Sequence, residues 1–292
     1  MSAPASRRAR LRVLFAVACV AVAAPLAFAG SANAVQSDLY DVFTACPTDD
    51  PLLNDPVFMA QSGGCVASVA KPGSTFRIGE NLTTTSEPSV SQWAFGSFDG
   101  ESLPVVPGST SVTAAPQEVE GGLLGLVPPE QLAPLIDPLD PVLGVQSQVQ
   151  SAGDVSEWLL EPPTTRLKIK LINPVLGDNC YIGSDDDPIV LQHEDWVTEQ
   201  AGMISFSPDP NGLPVFVIHS LDGVISNSAF SVPEANGCGP LGLGLLDPVI
   251  NNQVGLPSPA GSNEARFLND THIVGAESGA DIQAAFDAAQ EE

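Results

Sequence analysis

The sequence predicts an all-β fold, a β-sandwich or barrel-like arrangement held by disulfides and carrying a few short helices. Three observations lead there. Short runs alternate apolar and polar residues, as half-buried strands do. Glycine, proline, asparagine and aspartate separate those runs, and the chain holds 26 Gly and 27 Pro. Helical periodicity is scarce, and an even set of four cysteines follows the N-terminal segment.

That N-terminal segment is expected to be a secretory signal over residues 1–34. "SRRARLR" (Ser6–Arg12) is a positive n-region, Val13–Ala29 is apolar, and Ala32 and Ala34 give an Ala-x-Ala cleavage pattern. Arg7-Arg8 raises twin-arginine export, but the apolar pair that usually follows is missing. Cys19 follows a poor lipobox, Ala16-Val17-Ala18. No later segment reaches the ~20 apolar residues needed to span a bilayer, so a membrane span is not expected. The reading is a secreted, extracellular protein that could remain associated with the envelope.

Removing residues 1–34 removes four arginines, leaving six basic against 35 acidic residues, a formal charge of −29. Long-range repulsion then excludes nucleic acid and anionic lipid as partners. The remaining cysteines, Cys46, Cys65, Cys180 and Cys238, suggest two disulfides with three possible connectivities. Cys46–Cys65 with Cys180–Cys238 is favoured, because each bond then closes a loop inside one half of the chain. By the loop-entropy relation each contributes about 3–4 kcal/mol.

Residues 35–102 form an expected N-terminal β unit, with strands at Cys65–Ala70 and Ser74–Gly79. Residues 103–163 form a Pro/Gly-rich apolar connecting segment with a short helix. Within it, Gly121–Gly144 is strongly apolar yet holds five prolines, which no long helix tolerates. It is expected to pack as helical turns on a sheet, or to self-associate. Residues 164–292 form a C-terminal β unit ending in a short helix. There, Thr164–Asn173 places Leu167, Ile169 and Leu171 on one face and Arg166, Lys168 and Lys170 on the other. Further strands are predicted at Pro188–Gln192, Met203–Ser207 and Val215–Leu221. Asp-Pro starts predict helices at Asp140–Val149 and Asp247–Val254, with Asp as N-cap. Ile282, Ala285, Phe286 and Ala289 give helical spacing at the end. Both Asp-Pro-Val helices share Asp-Pro-Val-(Leu/Ile)-x-x-Gln, a faint sign of two related β units.

No nucleophile motif is present, and none of the candidate constellations is specific. His219 shares a strand face with Val215 and Val217, which predicts a packed, hydrogen-bonded imidazole. His193 lies beside Glu194 and Asp195 in a turn-like stretch, and His272 completes the three histidines. Zinc is not favoured, since no two histidines share a helical turn. "SPDPNGLPVFVI" starts like a calcium loop at Asp209, Asn211 and Gly212, but Ile218 stands where a bidentate Glu belongs. Asp185–Asp187 offers carboxylates that splay apart, so a turn is expected. Trp93, with Trp158 and Trp196, could present a glycan platform or be buried. With 35 acidic residues, paired carboxylates carry no specificity for glycoside hydrolysis.

Asn-Cys-Tyr-Ile-Gly-Ser (Asn179–Ser184), Val-Pro-x-Ala-x-Gly-Cys-Gly (Val232–Gly239) and Gly-Leu-Pro-Ser-x-Ala-Gly-x-Asn (Gly255–Asn263) together form a pattern. It resembles a group of secreted actinobacterial proteins of unknown function. The resemblance implies export, a β-rich disulfide-bonded domain and the Cys180–Cys238 pairing. It brings no catalytic residues, ligand or cofactor. This chain departs from the pattern in its acidity and in Glu194–Gln200. The expectation is therefore a secreted, non-enzymatic extracellular or cell-envelope protein, structural or adhesive, with no metal or cofactor. The alternative is a calcium- or carbohydrate-binding module, and a carboxylate hydrolase using Glu194 or Asp195 comes third.

Overall fold

The computed structural model describes residues 39–79, 81–99, 101–119, 144–156, 163–192 and 203–291. Numbered in chain order, the strands are β1 (Gly63–Ala70), β2 (Thr75–Ile78), β3 (Asn81–Thr84), β4 (Ser89–Phe95), β5 (Ser111–Thr113), β6 (Gln117–Glu118) and β7 (Gln146–Ser151). There follow β8 (Thr164–Ile172), β9 (Tyr181–Ile182), β10 (Ile189–Gln192), β11 (Met203–Pro208), β12 (Phe216–Asn227), β13 (Ala235–Asn236) and β14 (Asn263–Ala276). The helices are α1 (Asp247–Val254) and α2 (Gly279–Gln290). Two antiparallel sheets result, so the fold is all-β, as predicted.

The larger sheet runs β11-β12-β14-β1-β4-β5, with β2 and β3 continuing beside β14. The 14-residue β14 is its spine. One edge of β14 pairs with β12; the other pairs first with β2 and then with β1. Strands from both sides of residues 103–163 therefore share this sheet. The smaller sheet runs β13-β9-β8-β7-β6, with β10 also on β8.

The core follows the alternation. Leu167, Ile169 and Leu171 of β8 are buried and meet Phe76, Ile78 and Ala265 of the larger sheet. The far face of the larger sheet carries Cys65, Val217 and Val274, covered by Tyr40, Phe43, Leu53 and by Ile282 and Ala285 of α2. The α2 start is capped by Ser278, whose side chain accepts from the Asp281 N–H. Asn54 ties this helix down by accepting from the Ala280 N–H at 3.0 Å.

Two helix expectations are corrected. Of Asp140–Val149, the first four residues lie outside the described ones, and from Gln146 the chain is strand β7. Val145, Ser147 and Val149 point inward and are buried, a period of two that the Asp-Pro start signal concealed. In α1 the N-cap is Leu246, not Asp247. The Asp247 carboxylate instead accepts the Cys238 N–H at 2.7 Å, fastening the helix to the disulfide. The signal segment and most of Gly121–Gly144 lie outside the described residues.

Cys46–Cys65 and Cys180–Cys238 are bonded, with Cα atoms 5.8 and 4.1 Å apart and sequence separations of 19 and 58. Loop entropy scales with the logarithm of the closed loop. Replacing Cys180 and Cys238 by Ser is expected to cost about 4 kcal/mol, against about 3 kcal/mol for the Cys46/Cys65 pair. Urea unfolding of the two double variants measures the order.

Candidate functional site

Three places gather side chains that the core does not require. The first lies between the sheets. Thr271 of β14, Ser68 of β1 and Ser91 of β4 stand directly opposite one another in one row across three strands. Asn269, Ala70 and Ser89 form the next row. Both rows face the smaller sheet, at positions where a sandwich ordinarily carries large apolar residues. Small polar side chains there leave a slot of about 90 Å³. Val149, Leu167 and Leu191 form its apolar wall. Ser68 donates its hydroxyl to Asn269 Oδ1 at 2.9 Å, and Asn269 Nδ2 donates to Thr271 Oγ1 at 2.7 Å. The Ser91 hydroxyl is buried and has no hydrogen-bond partner among the described residues.

The second place is on the opposite face of the same sheet. His219 and His272 are directly opposed on β12 and β14, and their Nδ1 atoms lie 2.8 Å apart. The rings meet edge to face. The hydrogen-bonded imidazole expected at His219 is thus present, and its partner is the third histidine. One ring must donate an Nδ1–H while the other accepts it. Burial lowers the His272 pKa to about 4, helped by His219 and opposed by Asp270, and burial also lowers that of His219. Beyond the pair, β12 bulges between Ser220 and Gly223. Asp222 at the bulge takes a φ of 60°. Asp270 holds it there by accepting the Asp222 N–H at 2.7 Å and the Lys71 ammonium at 2.9 Å. Hydrogen bonds to Asp222 and Asp270 raise the Lys71 pKa.

The third place is the loop between Cys238 and α1. Leu241, Leu243 and Leu245 are 92%, 67% and 67% exposed. Leu241 has a φ of 60°, a left-handed conformation unusual for a leucine. The base of the loop is rigid: the Gly239 N–H donates to Leu176 O at 2.7 Å and the Leu246 N–H to Cys238 O at 3.0 Å.

The other sequence candidates go elsewhere. Asp185 forms an ion pair with Lys168 at 2.6 Å, and the Asp187 N–H donates to Ser184 Oγ at 2.9 Å, so the triplet is a turn. The strands flanking it, β9 and β10, do not form a hairpin with each other. Both line the same edge of β8, and the turn is an excursion between them. Asp209 organises its own turn, accepting from Asn211 N and Leu213 N, while its second oxygen accepts the buried Tyr40 hydroxyl at 2.8 Å. Burial and that carboxylate push the Tyr40 pKa upward. Trp93 is 7% exposed and lines the slot, so it presents no glycan platform. Trp158, Trp196, His193, Glu194 and Asp195 lie outside the described residues. Among the described residues, no group of three or more His, Cys, Asp and Glu side chains is placed to hold a metal ion.

Sequence reasoning missed the polar rows because Ser68 and Ala70 belong to different strands from Ser91 and Thr271. Only the register brings them together. The exposure of the leucine loop had no sequence signal beyond Gly-x-Gly spacing. No protein-family model, curated protein or solved structure matches this chain.

The histidine pair sets a pH dependence. The His272 pKa falls from 6.5 to about 4 on folding, so the unfolded chain binds the proton first as pH drops. This contribution is complete above pH 6.5 and declines as pH falls from 6.5 toward about 4. Urea midpoints measured from pH 7 to 5 are expected to fall for the wild type. For His272→Gln the slope is expected to be shallower over that range.

Proposed function

We propose that this is an exported, non-enzymatic protein of the cell exterior or envelope that works by adhesion, with the leucine loop as its contact. The single observation behind this reading is the presentation of Leu241, Leu243 and Leu245 to solvent on a base fixed by Cys180–Cys238. A leucine gains about 1.5–3 kcal/mol on full burial, so exposing three on one rigid loop disfavours the free state. A left-handed Leu241 adds local strain that a structural turn built on glycine avoids.

The occupant that fits is the surface of a lipid layer with neutral headgroups. Ala235–Leu246 contains no charged residue, whereas the chain as a whole carries −25. Anionic lipid and nucleic acid repel such a protein. Disulfide bonding and the signal-like residues 1–34 support the exterior location, as does the resemblance to secreted actinobacterial proteins. Among the described residues no helix is long and apolar enough to cross a membrane, so the loop is read as touching the layer.

Flotation with phosphatidylcholine vesicles tests this. The wild type is expected to rise with the vesicles, and Leu241→Asp/Leu243→Asp to lose at least about ten-fold of the bound fraction. Circular dichroism is expected to be unchanged in that variant, since both side chains are exposed. A wild type that stays at the bottom of the gradient, or that forms dimers lost in the variant without binding vesicles, overturns the lipid reading.

A further inference from the structure

We propose that the slot between the two sheets is a binding site for a small neutral molecule, an apolar ring bearing one hydrogen-bonding oxygen. None of the described residues lining the slot is ionisable. A charged ligand entering there would lose its hydration without a counter-charge, which costs far more than the site returns. The ligand is therefore uncharged.

The walls then assign its polarity. On the smaller sheet the wall is aliphatic, through Val149, Leu167 and Leu191. On the larger sheet the two rows place Ser68, Ser91, Asn269 and Thr271 at its centre, with apolar Trp93 and Phe267 beside them. Within these rows Asn269 is nearly saturated, accepting from Ser68 and donating to Thr271. Thr271 Oγ1 accepts that bond and keeps its own hydroxyl proton for another acceptor. Among the described residues, Ser91 has both a donor and an acceptor unused. A buried hydroxyl without a partner costs about 1–3 kcal/mol. Two methyl-bearing residues in those positions would close the gap and remove that cost. The chain instead keeps the hydroxyls and the space together, which is the composition of a ligand site.

An apolar cavity of about 150 Å³ is known to take benzene. This slot is smaller, about 90 Å³, but among the described residues it is open on one side, where Ser68 and Thr271 are only half-buried. It takes one ring edge-first, its oxygen toward Ser91 and Thr271 and its face against Leu167. A long chain or fused ring system would have to remain mostly outside. Trp93 borders the slot and reports on occupancy.

The test uses p-cresol as probe and toluene as its counterpart without the hydroxyl. Titration calorimetry and Trp93 emission, in a Trp158→Phe/Trp196→Phe background, measure both. The wild type is expected to bind p-cresol more tightly than toluene. Ser91→Ala is expected to weaken p-cresol by about five-fold and to leave toluene within about two-fold, as the loss of one hydrogen bond predicts. Ser68→Leu fills the slot and is expected to abolish both. Should that variant fail to fold, Ser91→Ala alone decides. A wild type that binds neither probe up to its solubility, or Ser91→Ala that weakens both equally or neither, overturns the proposal. This outcome is separate from vesicle flotation, which reads the leucine loop.

Discussion

The hydrogen-bond ladder on the two edges of β14 is the constraint on which the rest depends. A strand paired on one edge leaves the other open, and an open edge is a template for aggregation. Here β12 takes one edge for nearly the whole strand, while β2 and β1 divide the other. Because side chains alternate, that fixed register also assigns every residue of the sheet to a face. His272 and Val274 go to the side covered by α2, and Thr271 and Ile273 to the side that meets the rest of the sandwich. A shift of one residue would exchange the histidine pair with the polar row and bury an imidazole in the slot.

The two faces of this sheet are used differently. The α2 side is sealed by aromatic and aliphatic contacts, among them Tyr40 and Phe43 against Phe286 with ring centroids 5.3 and 6.1 Å apart. The inner side is well packed toward Phe76 and Ile78 and loosens toward Ser68 and Ser91. Protein interiors ordinarily fill such space to crystal-like density. Stability therefore comes from one end of the sandwich and from the sealed face, leaving the centre of the inner face freer to vary. The leucine loop lies apart from both, anchored to the smaller sheet through Cys238 and Ala235.

Much of the fold is legible in the sequence, because it rests on local alternation. Thr164–Asn173 declared β8 through Leu167, Ile169 and Leu171, and Asp247–Val254 coincides with α1. The failures have a common physical source. Asp-Pro-Val at residues 140–142 has the same start signal as α1, yet the chain beyond it becomes strand, since Val145 and Val149 had a sheet to bury against. Burial of Val145, Ser147 and Val149 decides the conformation from Gln146 onward. Strand β14 was hardly visible, for its polar residues Asn269 and Asp270 accept cross-strand hydrogen bonds, from Ser68 and from the Asp222 N–H, and Thr271 accepts from Asn269 within the strand. The candidate sites are assembled from residues up to 203 positions apart, as Ser68 and Thr271 are, and no local pattern encodes such meetings.

The two disulfides have a consequence for the order in which the molecule is built. Each joins residues no more than 58 positions apart, whereas Gly63 of β1 must find Ala276 of β14. Pairing over such a separation is slow, because a long loop must close before contacts reward it. The cysteine bonds need no such wait. A chain emerging from its N-terminus can cross-link Cys46 to Cys65, and later Cys180 to Cys238, while the spine strand is still to come. Neither bond requires a residue beyond Cys238, so both loops can close covalently before the spine strand is present.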